Sequence, residues 1–159
     1  MMKKIILILF VAIAGFVAQA GNVVTVSQTE GHPGDVVTVA VNVQNTDIIT
    51  GMQISIPLDK FLSYEAESAL LTERADGLQV SANASDGELH IVVFSFGKDK
   101  QISDGDGTVV TFKLKLNWAP NVYPLTPKVL LSDADGNPLD CTTTDGSVTI
   151  LTPRSASPL

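Results

Sequence analysis

Short alternations of apolar and polar residues follow one another along most of the chain. Residues 35–43 read Asp-Val-Val-Thr-Val-Ala-Val-Asn-Val, and residues 52–56 read Met-Gln-Ile-Ser-Ile. Both runs are rich in β-branched residues and are bounded by turn-forming residues, which is typical of β-strands. Similar runs bring the prediction to about nine strands; the others lie at 24–26, 62–65, 78–84, 89–96, 109–116, 129–131 and 147–151.

The series predicts an all-β fold. After residue 21 no window keeps a 3.6-residue apolar period, and the best helical candidate, residues 66–75, can equally be a turn or a loop. Many short alternating strands joined by Gly, Asp, Asn and Pro turns must stack two sheets to bury their apolar faces. We therefore expect a nine-stranded antiparallel β-sandwich.

One hairpin can be placed in register from the sequence. Asp86-Gly87 is a typical two-residue hairpin turn, and if it forms the tip, Ala82 faces Ile91 and Val80 faces Val93. These apolar pairs predict the core side of the hairpin, and alternation sends the opposite set to the outer side. With two residues from the strand at 52–56, the predicted outward set is Gln53, Ser55, Gln79, Ser81, Asn83, His90, Val92 and Phe94.

This outward set predicts a surface that binds a partner. Val92 and Phe94 are large apolar residues among Gln, Ser and Asn, which is unusual for a solvated sheet and suits an interface. The alternative is that the loop at 97–107 or the tail of the chain covers them. His90 could be a metal ligand or a pH-sensitive contact, but with the nearest other histidine at His32 a polar rim residue is favoured.

The order of the segments resembles a known family. The resemblance covers residues 23–151 and depends on an ordered set rather than on one motif: Val24-x-Val26, Gly31-x-Pro33-Gly34-Asp35-x-Val37-x-Val39-x-Val41, Ile49-x-Gly51-Met52-Gln53-x-x-Ile56-Pro57-Leu58-Asp59, Gly105-Asp106-Gly107, Val122-Tyr123-Pro124-Leu125, Asp135-Gly136-Asn137 and Asp145-Gly146-Ser147-Val148. In this order the segments are similar to those of a cohesin domain, a family related to bacterial carbohydrate-binding modules.

The resemblance implies a jelly-roll sandwich with a non-catalytic binding role. Cohesins bind dockerin modules carried on enzymes, and so hold polysaccharide hydrolases on an extracellular scaffold. In the family the dockerin lies on the sheet formed by the third, fifth, sixth and eighth strands. That sheet would carry the predicted outward set, so a dockerin-like module is the expected partner.

The N-terminal residues predict export. Lys3 and Lys4 precede an apolar stretch of about 13 residues, and Ala18-Gln19-Ala20 has the small-x-small pattern of a cleavage site. The stretch is shorter than the ~20 residues that span a bilayer. We expect a signal peptide at 1–20, a sandwich domain at 21–151, a Pro/Ser-rich tail or linker at 152–159, and a secreted protein that does not span a membrane.

The net charge argues against one class of partner, and the cysteine content limits the covalent chemistry of the chain. Ten Lys and Arg against 17 Asp and Glu give a net charge of −7, which argues against nucleic acid because its binding depends on basic patches. Cys141 is the only cysteine, so no internal disulfide can form. We expect a buried thiol there rather than a nucleophile or an intermolecular bridge.

Catalytic and metal-binding patterns are weak. The chain lacks the Ser, His-Glu and Gly-rich motifs of common enzyme families, so we expect no enzyme and no cofactor. Two acidic turns, 104–106 and 133–137, resemble calcium loops, but a bidentate acid is missing where position 12 falls on Lys115 and Thr144. Ordinary hairpin turns are the favoured interpretation.

A second function on the same sandwich is a carbohydrate-binding or adhesive module at the cell surface. Such modules use exposed aromatic platforms, and besides Phe the chain offers only Trp118, Tyr123 and Tyr64. Trp118 and Tyr123 flank Pro120 in what reads as a loop, so we expect both to pack. A protein partner is therefore favoured over a polysaccharide.

The cleavage site gives a first testable prediction. Because the Ala18-Gln19-Ala20 pattern follows the apolar stretch directly, N-terminal sequencing of the exported protein should begin at Gly21. An intact Met1 terminus recovered from the membrane fraction would contradict the prediction.

Overall fold

A computed structural model of the protein describes residues 21–97 and 99–153. The predicted signal peptide and residues 154–159 of the predicted tail lie outside this part of the chain. The described residues contain no helix long and apolar enough to cross a membrane. They form a 3-10 turn at Glu73–Ala75 and the strands β1 Asn22–Val26, β2 Gln28–Gly31, β3 Val36–Asn45, β4 Gly51–Pro57, β5 Leu62–Tyr64, β6 Leu70–Leu71, β7 Gln79–Ser85, β8 Glu88–Phe94, β9 Gly105–Leu116, β10 Asn121–Leu125, β11 Lys128–Ser132, β12 Pro138–Leu139, β13 Thr142–Thr144 and β14 Gly146–Ile150.

The strands form two large sheets and one small one. The first large sheet has the order β13-β1-β3-β9-β5, with β6 also paired to β9, and the second has the order β12-β11-β4-β8-β7. The small sheet has the order β10-β14-β2. The buried apolar residues of all three form a single cluster, with Val41 and Phe112 from the first, Ile54 from the second and Val148 from the third. The predicted all-β sandwich is confirmed.

The hairpin of β7 and β8 has the predicted register. Asp86 and Gly87 both have positive φ, 53° and 77°, as a tight hairpin turn of this kind requires. Ala82 faces Ile91 and Val80 faces Val93, and both β8 residues are shielded from solvent. The turn residues therefore set which side of this hairpin enters the core.

Two strand pairs depart from the expected antiparallel pattern. β1 pairs with β13 in parallel, and β2 pairs with β14 in parallel. β1 and β2 therefore run beside β13 and β14 in the same direction, and both pairs of consecutive strands pass from the first large sheet to the small sheet. Gly146 permits this crossing, because a Cβ at that position would lie 2.3 Å from the carbonyl oxygen of Ser27.

The described residues contain fourteen strands instead of the predicted nine, because several of the fourteen are short pieces of a longer, interrupted strand. The opening strand is divided at Ser27, whose main-chain N–H bonds to Ala40 and whose carbonyl accepts from Ser147. β10, which carries Tyr123, reads as a loop in the sequence but pairs with β14 along its whole length. The helical candidate at 66–75 is instead a turn, the two-residue strand β6 and the 3-10 turn.

A polar network ties the 3-10 turn to the ends of β3 and β9. The Arg74 guanidinium donates to the carbonyls of Val43, Gly107 and Ser103 and to Asn45 Oδ1, the last two at 2.8 Å. Asn45 is only 3% exposed, and its side-chain N–H groups donate to Asp47 O at 2.7 Å and Ser103 O at 3.0 Å. Buried polar groups satisfied in this way hold irregular backbone against the sandwich.

Cys141 lies partly buried against the core, beside β11. Its Sγ is 3.9 Å from the carbonyl oxygen of Val129. Burial, and to a smaller extent the nearby Asp140 carboxylate, raises the pKa of the thiol. A raised pKa lowers the thiolate fraction near neutral pH, so this environment suits the expected packing role better than a nucleophile.

The buried register can be tested by placing a charge in it. Ile91 is fully buried opposite Ile54 and Ala82, so Ile91→Asp should unfold the domain or destabilise it by about 4 kcal/mol or more. Ser81→Asp is the matched control, because Ser81 lies on the adjacent strand but points to solvent. It should change stability by no more than about 0.5 kcal/mol in a denaturant melt. A cooperative, near-wild-type melt of Ile91→Asp would show that the register is wrong.

Candidate partner-binding face

The eight residues predicted to point outward lie on one side of the sheet β12-β11-β4-β8-β7, which we call the outer face. Its middle row crosses four strands: Ser81 on β7 faces Val92 on β8, Val92 faces Gln53 on β4, and Gln53 faces Leu130 on β11. The intervening residues of β4 and β8 are buried, so alternation alone fixes the direction of this row.

Two further rows flank the middle row. On one side, Asn83, His90, Ser55 and Lys128 face one another in that order across β7, β8, β4 and β11. On the other side, Gln79 faces Phe94, and Phe94 faces Gly51, which presents no side chain. The face thus carries the apolar side chains of Val92, Leu130 and Phe94 among polar ones in the middle and at one end, and only polar or charged side chains at the other end.

Leu130 is a member of the face that the sequence-based prediction missed. Its side chain is 68% exposed, one of the largest exposures of any large apolar residue in the described chain. The apolar run at 129–131 predicts a strand, and Leu131, at 2% exposed, defines its buried side. Alternation from Leu131 therefore points Leu130 to the outer face, where it extends the apolar row.

A groove of about 350 Å³ opens on the apolar part of the face. The β11–β12 turn forms one wall, through Gly136 and Pro138, and Leu130 stands beside it. Val92 and Phe94 of β8 lie on the other side. The groove could accept an apolar side chain from a partner, as the anchor pockets of protein interfaces do.

Phe94 and Val92 are partly buried, and the structure shows what surrounds Phe94. Its ring packs edge-on against Phe96, with centroids 5.3 Å apart at 89°, while Phe96 itself is 85% exposed. In the described part of the 97–107 segment, Ile102 pairs with Ile49 through two main-chain hydrogen bonds of 3.1 and 2.7 Å. That segment is therefore anchored to Ile49 through Ile102.

His90 forms a polar centre at the other end of the face. Its Nδ1 lies 3.1 Å from Ser55 Oγ, and its Nε2 lies 3.3 Å from Glu88 Oε1. The side chain is 45% exposed, and Lys128 follows Ser55 along the same row. His90 is thus placed among hydrogen-bonding groups at the border of the apolar row, as a rim residue would be.

A series of neighbouring side chains on this face resembles the nucleophile, base and orienting acid of a hydrolase. Its members are Ser55, His90 and Glu88. Productive hydrolases also need free backbone N–H groups beside the serine to stabilise an oxyanion. Here Ser55 lies in the middle of β4, which pairs with β8 on one side and β11 on the other. The main-chain N–H groups around Ser55 are taken up by these two ladders, so they do not form an oxyanion hole beside it.

Of the two acidic segments predicted to be hairpin turns, 133–137 forms the turn between β11 and β12, whereas the prediction is wrong for 104–106, because Gly105 and Asp106 begin β9. Asp133 Oδ1 accepts from the main-chain N–H groups of Asp135 and Asn137, both at 2.9 Å. The hydrogen bond from the Asn137 N–H is the main reason that the pKa of the Asp133 carboxyl lies below its ordinary value. Asp106 accepts from Asn42 Nδ2 at 2.8 Å. Within residues 21–97 and 99–153, no group of three His, Cys, Asp or Glu side chains could hold a metal ion.

Comparison with known proteins supports a single family. The family model of the cohesin domain matches residues 22–150. A non-cellulosomal cohesin from the hyperthermophilic archaeon Archaeoglobus fulgidus has a TM-score of 0.71 at 18% identity, over 83% of this chain and 92% of that chain. The chain in a type I cohesin–dockerin complex from Clostridium thermocellum has a TM-score of 0.70 at 17% identity, over 82% and 99%. No curated protein sequence matches the chain.

The residues matched by the family model are the same residues that form the sandwich. The match begins at the first residue of β1 and ends at the last residue of β14, so it includes every strand of the sandwich. The solved structures, at 17–18% identity, show the same jelly-roll sandwich fold. The protein therefore belongs to the cohesin domain family.

Proposed function

We propose that this protein is a non-catalytic binding module whose outer face recruits a dockerin-like protein. The observation that carries the proposal is the continuous row of Val92, Gln53 and Leu130 beside Phe94 on a sheet side that faces solvent. Large apolar side chains grouped with polar ones on an exposed sheet side are typical of a protein interface. Membership of the cohesin family supports the same partner class, as does the similar Clostridium thermocellum structure, which is a complex of a cohesin with a dockerin.

The outer face is formed before a partner binds. Its binding groups lie on the strands β4, β7, β8 and β11, whose register is fixed by the core beneath them. A partner can therefore bind without ordering a loop, which avoids an entropy cost. The eight predicted residues, together with Leu130 and Lys128, are the contacts that we propose.

The setting that we propose is extracellular. The predicted signal peptide at 1–20 supports export, and the role of cohesins implied by the resemblance supports recruitment in polysaccharide degradation. A module of this kind needs no cofactor and no catalytic group, because its contribution is to position the partner.

Leu130 offers the sharpest test of the face. Leu130→Ala should leave stability within about 0.5 kcal/mol, because the side chain is 68% exposed. The change should weaken partner binding by about 1 kcal/mol or more, since it shortens an exposed apolar side chain that lines the groove. The partner should first be captured with the mature protein, then identified and purified. Titration of this partner by calorimetry would measure the change in binding free energy. Val122→Ala is the matched control, because Val122 is 58% exposed on β10, outside the outer face, and should change neither quantity.

Phe94 and Val92 test whether the centre of the face carries the binding energy. Phe94→Ala should weaken binding of the same partner by about 2 kcal/mol or more, and Val92→Ala should act in the same direction with a smaller effect. Because Phe94 is only partly buried, its stability loss should stay at or below about 1–2 kcal/mol, against about 3–5 for a fully buried Phe.

Two outcomes would contradict the proposal. If Phe94→Ala, Val92→Ala and Leu130→Ala all bind the captured partner as tightly as the wild type, the partner uses another surface. If Phe94→Ala costs about 3–5 kcal/mol of stability, the residue belongs to the core and is not available as an anchor.

A further inference from the structure

A second cleft, of about 260 Å³, lies away from the outer face. It is formed where the β2–β3 turn, the β9–β10 loop and the segment after β14 meet. Its lining residues are His32, Pro33, Asp35, Trp118 and Pro153. None of these belongs to the outer face, so a ligand here would be independent of the proposed partner.

Trp118 is the main apolar surface of this cleft, and its exposure contradicts one expectation from the sequence. The sequence predicts that Trp118 and Tyr123 both pack. Tyr123 does so, at 7% exposed, but Trp118, the only tryptophan of the chain, is 54% exposed. The two residues differ because Tyr123 lies on β10 with its ring turned to the core, whereas Trp118 precedes the strand. A single exposed tryptophan side chain is common in proteins, so the residues around Trp118 must show whether it belongs to a binding site.

The backbone on both sides of Trp118 is fixed. The Asn117 N–H donates to the Phe61 carbonyl at 2.9 Å, and the Tyr123 hydroxyl donates to the Ala119 carbonyl at 2.5 Å. Ala119 has a φ of 74°, an uncommon conformation for a residue with a Cβ. These contacts hold the loop in one shape, so the indole is presented in advance of binding rather than ordered by it.

The opposite wall of the cleft is held to the same strand end. The Gly34 N–H donates to the Leu116 carbonyl at 2.6 Å, and the Leu116 N–H donates to the Asp35 carbonyl at 2.9 Å. Leu116 is two residues before Trp118, so the turn and the indole share one support. The Leu151 N–H donates to the Gly31 carbonyl at 2.8 Å, which fixes the segment that leads to Pro153.

Two polar side chains, Asp35 and His32, line the same cleft as the indole. Asp35 Oδ2 accepts from the His32 main-chain N–H at 2.9 Å and lies 3.8 Å from His32 Nδ1. The Asp35 side chain remains 46% exposed and that of His32 27% exposed. A carboxylate can accept several hydrogen bonds, and an imidazole can donate or accept, so both retain capacity for a ligand.

We propose that this cleft binds a neutral sugar ring of an oligosaccharide or polysaccharide. The C–H groups on one face of a pyranose can pack on the electron-rich face of the Trp118 indole. The hydroxyls at the ring edge then meet Asp35 and His32. The Asp35 carboxylate and the net charge of −7 disfavour an anionic sugar. Pro33 and Pro153 complete the lining of the cleft with rigid rings.

The competing ligand for an aromatic ring beside a carboxylate is an organic cation. Cages for quaternary ammonium groups surround the cation with aromatic side chains. Trp118 is the only aromatic residue that lines this cleft in the described part of the chain, and Asp35 already faces the His32 side chain. A single flat ring beside hydrogen-bonding groups fits a sugar better than an ammonium ion. The small volume fits one or two rings, being just below the ~300–1,000 Å³ typical of drug-sized ligands.

Because Trp118 is the only tryptophan, its fluorescence reports on the cleft directly. The mature protein should be titrated with cellohexaose, xylohexaose and mannohexaose, and with choline chloride as the cationic comparison. Binding of a sugar should give a saturable shift of the emission to shorter wavelength, because the ring displaces water from the indole. At least one hexasaccharide should produce this shift, and choline should not.

Variants measured by calorimetry or affinity electrophoresis assign the effect to named side chains. Trp118→Ala should weaken sugar binding by about tenfold or more, and Asp35→Asn by severalfold, since the amide keeps one acceptor for the His32 N–H. Phe96→Ala is the matched control, because it also removes an exposed aromatic ring, one that lies outside the cleft. It should leave sugar affinity unchanged. Thermal melts of all three proteins should stay close to that of the wild type.

Three results would overturn the proposal. One is the absence of a fluorescence shift with every hexasaccharide. Another is sugar binding that Trp118→Ala leaves intact or that Phe96→Ala weakens equally. The third is a saturable shift with choline and none with the sugars, which would assign the cleft to a cation.

Discussion

Ile54 and Ile91 face each other across β4 and β8, and both are closed off from solvent by the opposite sheet. The free energy of burying these apolar rows fixes the register, because a slip by one residue would turn every core side chain outward. The same constraint determines the outer face. Once Ile54 and Ile91 are inside, Gln53 and Val92 must be outside and must face each other.

The outer face and the core are therefore formed by alternate residues of the same strands. A partner that binds Val92 and Leu130 binds side chains whose positions are set by Val93 and Leu131 one residue further along. This arrangement gives a surface whose centre is made of paired strands rather than loops. The β11–β12 turn borders this surface at one edge, where the Asp133 carboxylate holds the turn by accepting hydrogen bonds from the main-chain N–H groups of Asp135 and Asn137. The groove at this edge of the sheet has room for an apolar side chain of a partner.

The second cleft depends on a different kind of support. Its residues come from three connections, each held by hydrogen bonds to a strand end rather than by burial of apolar rows. Tyr123 links the two systems, because its ring packs into the core while its hydroxyl holds the Ala119 carbonyl beside Trp118. Burial, with a smaller contribution from Asp59, raises the pKa of this phenol, so the hydroxyl keeps the proton that it donates. The sandwich can thus present two surfaces whose contacts are separate.

The sequence by itself determined the features that follow from local periodicity. Period-two alternation identified the sandwich and most of its long strands, and the Asp86-Gly87 turn set the register of the β7–β8 hairpin. It also placed the eight predicted residues on one side of a sheet, because a single known register fixes the direction of every second side chain. The order of motifs indicated the family, which the family model confirms.

Only the tertiary structure decided what depends on contacts between distant segments. The parallel pairing of β1 with β13 and of β2 with β14 joins the two ends of the described chain, and no local pattern encodes it. The exposure of Trp118 and the burial of Tyr123 could not be separated in the sequence, since both follow a strand and flank Pro120. Their difference arises because Tyr123 extends a ladder with β14, whereas Trp118 lies where three connections meet. Alternation is a property of each strand, but the neighbours of a loop are chosen by the whole fold.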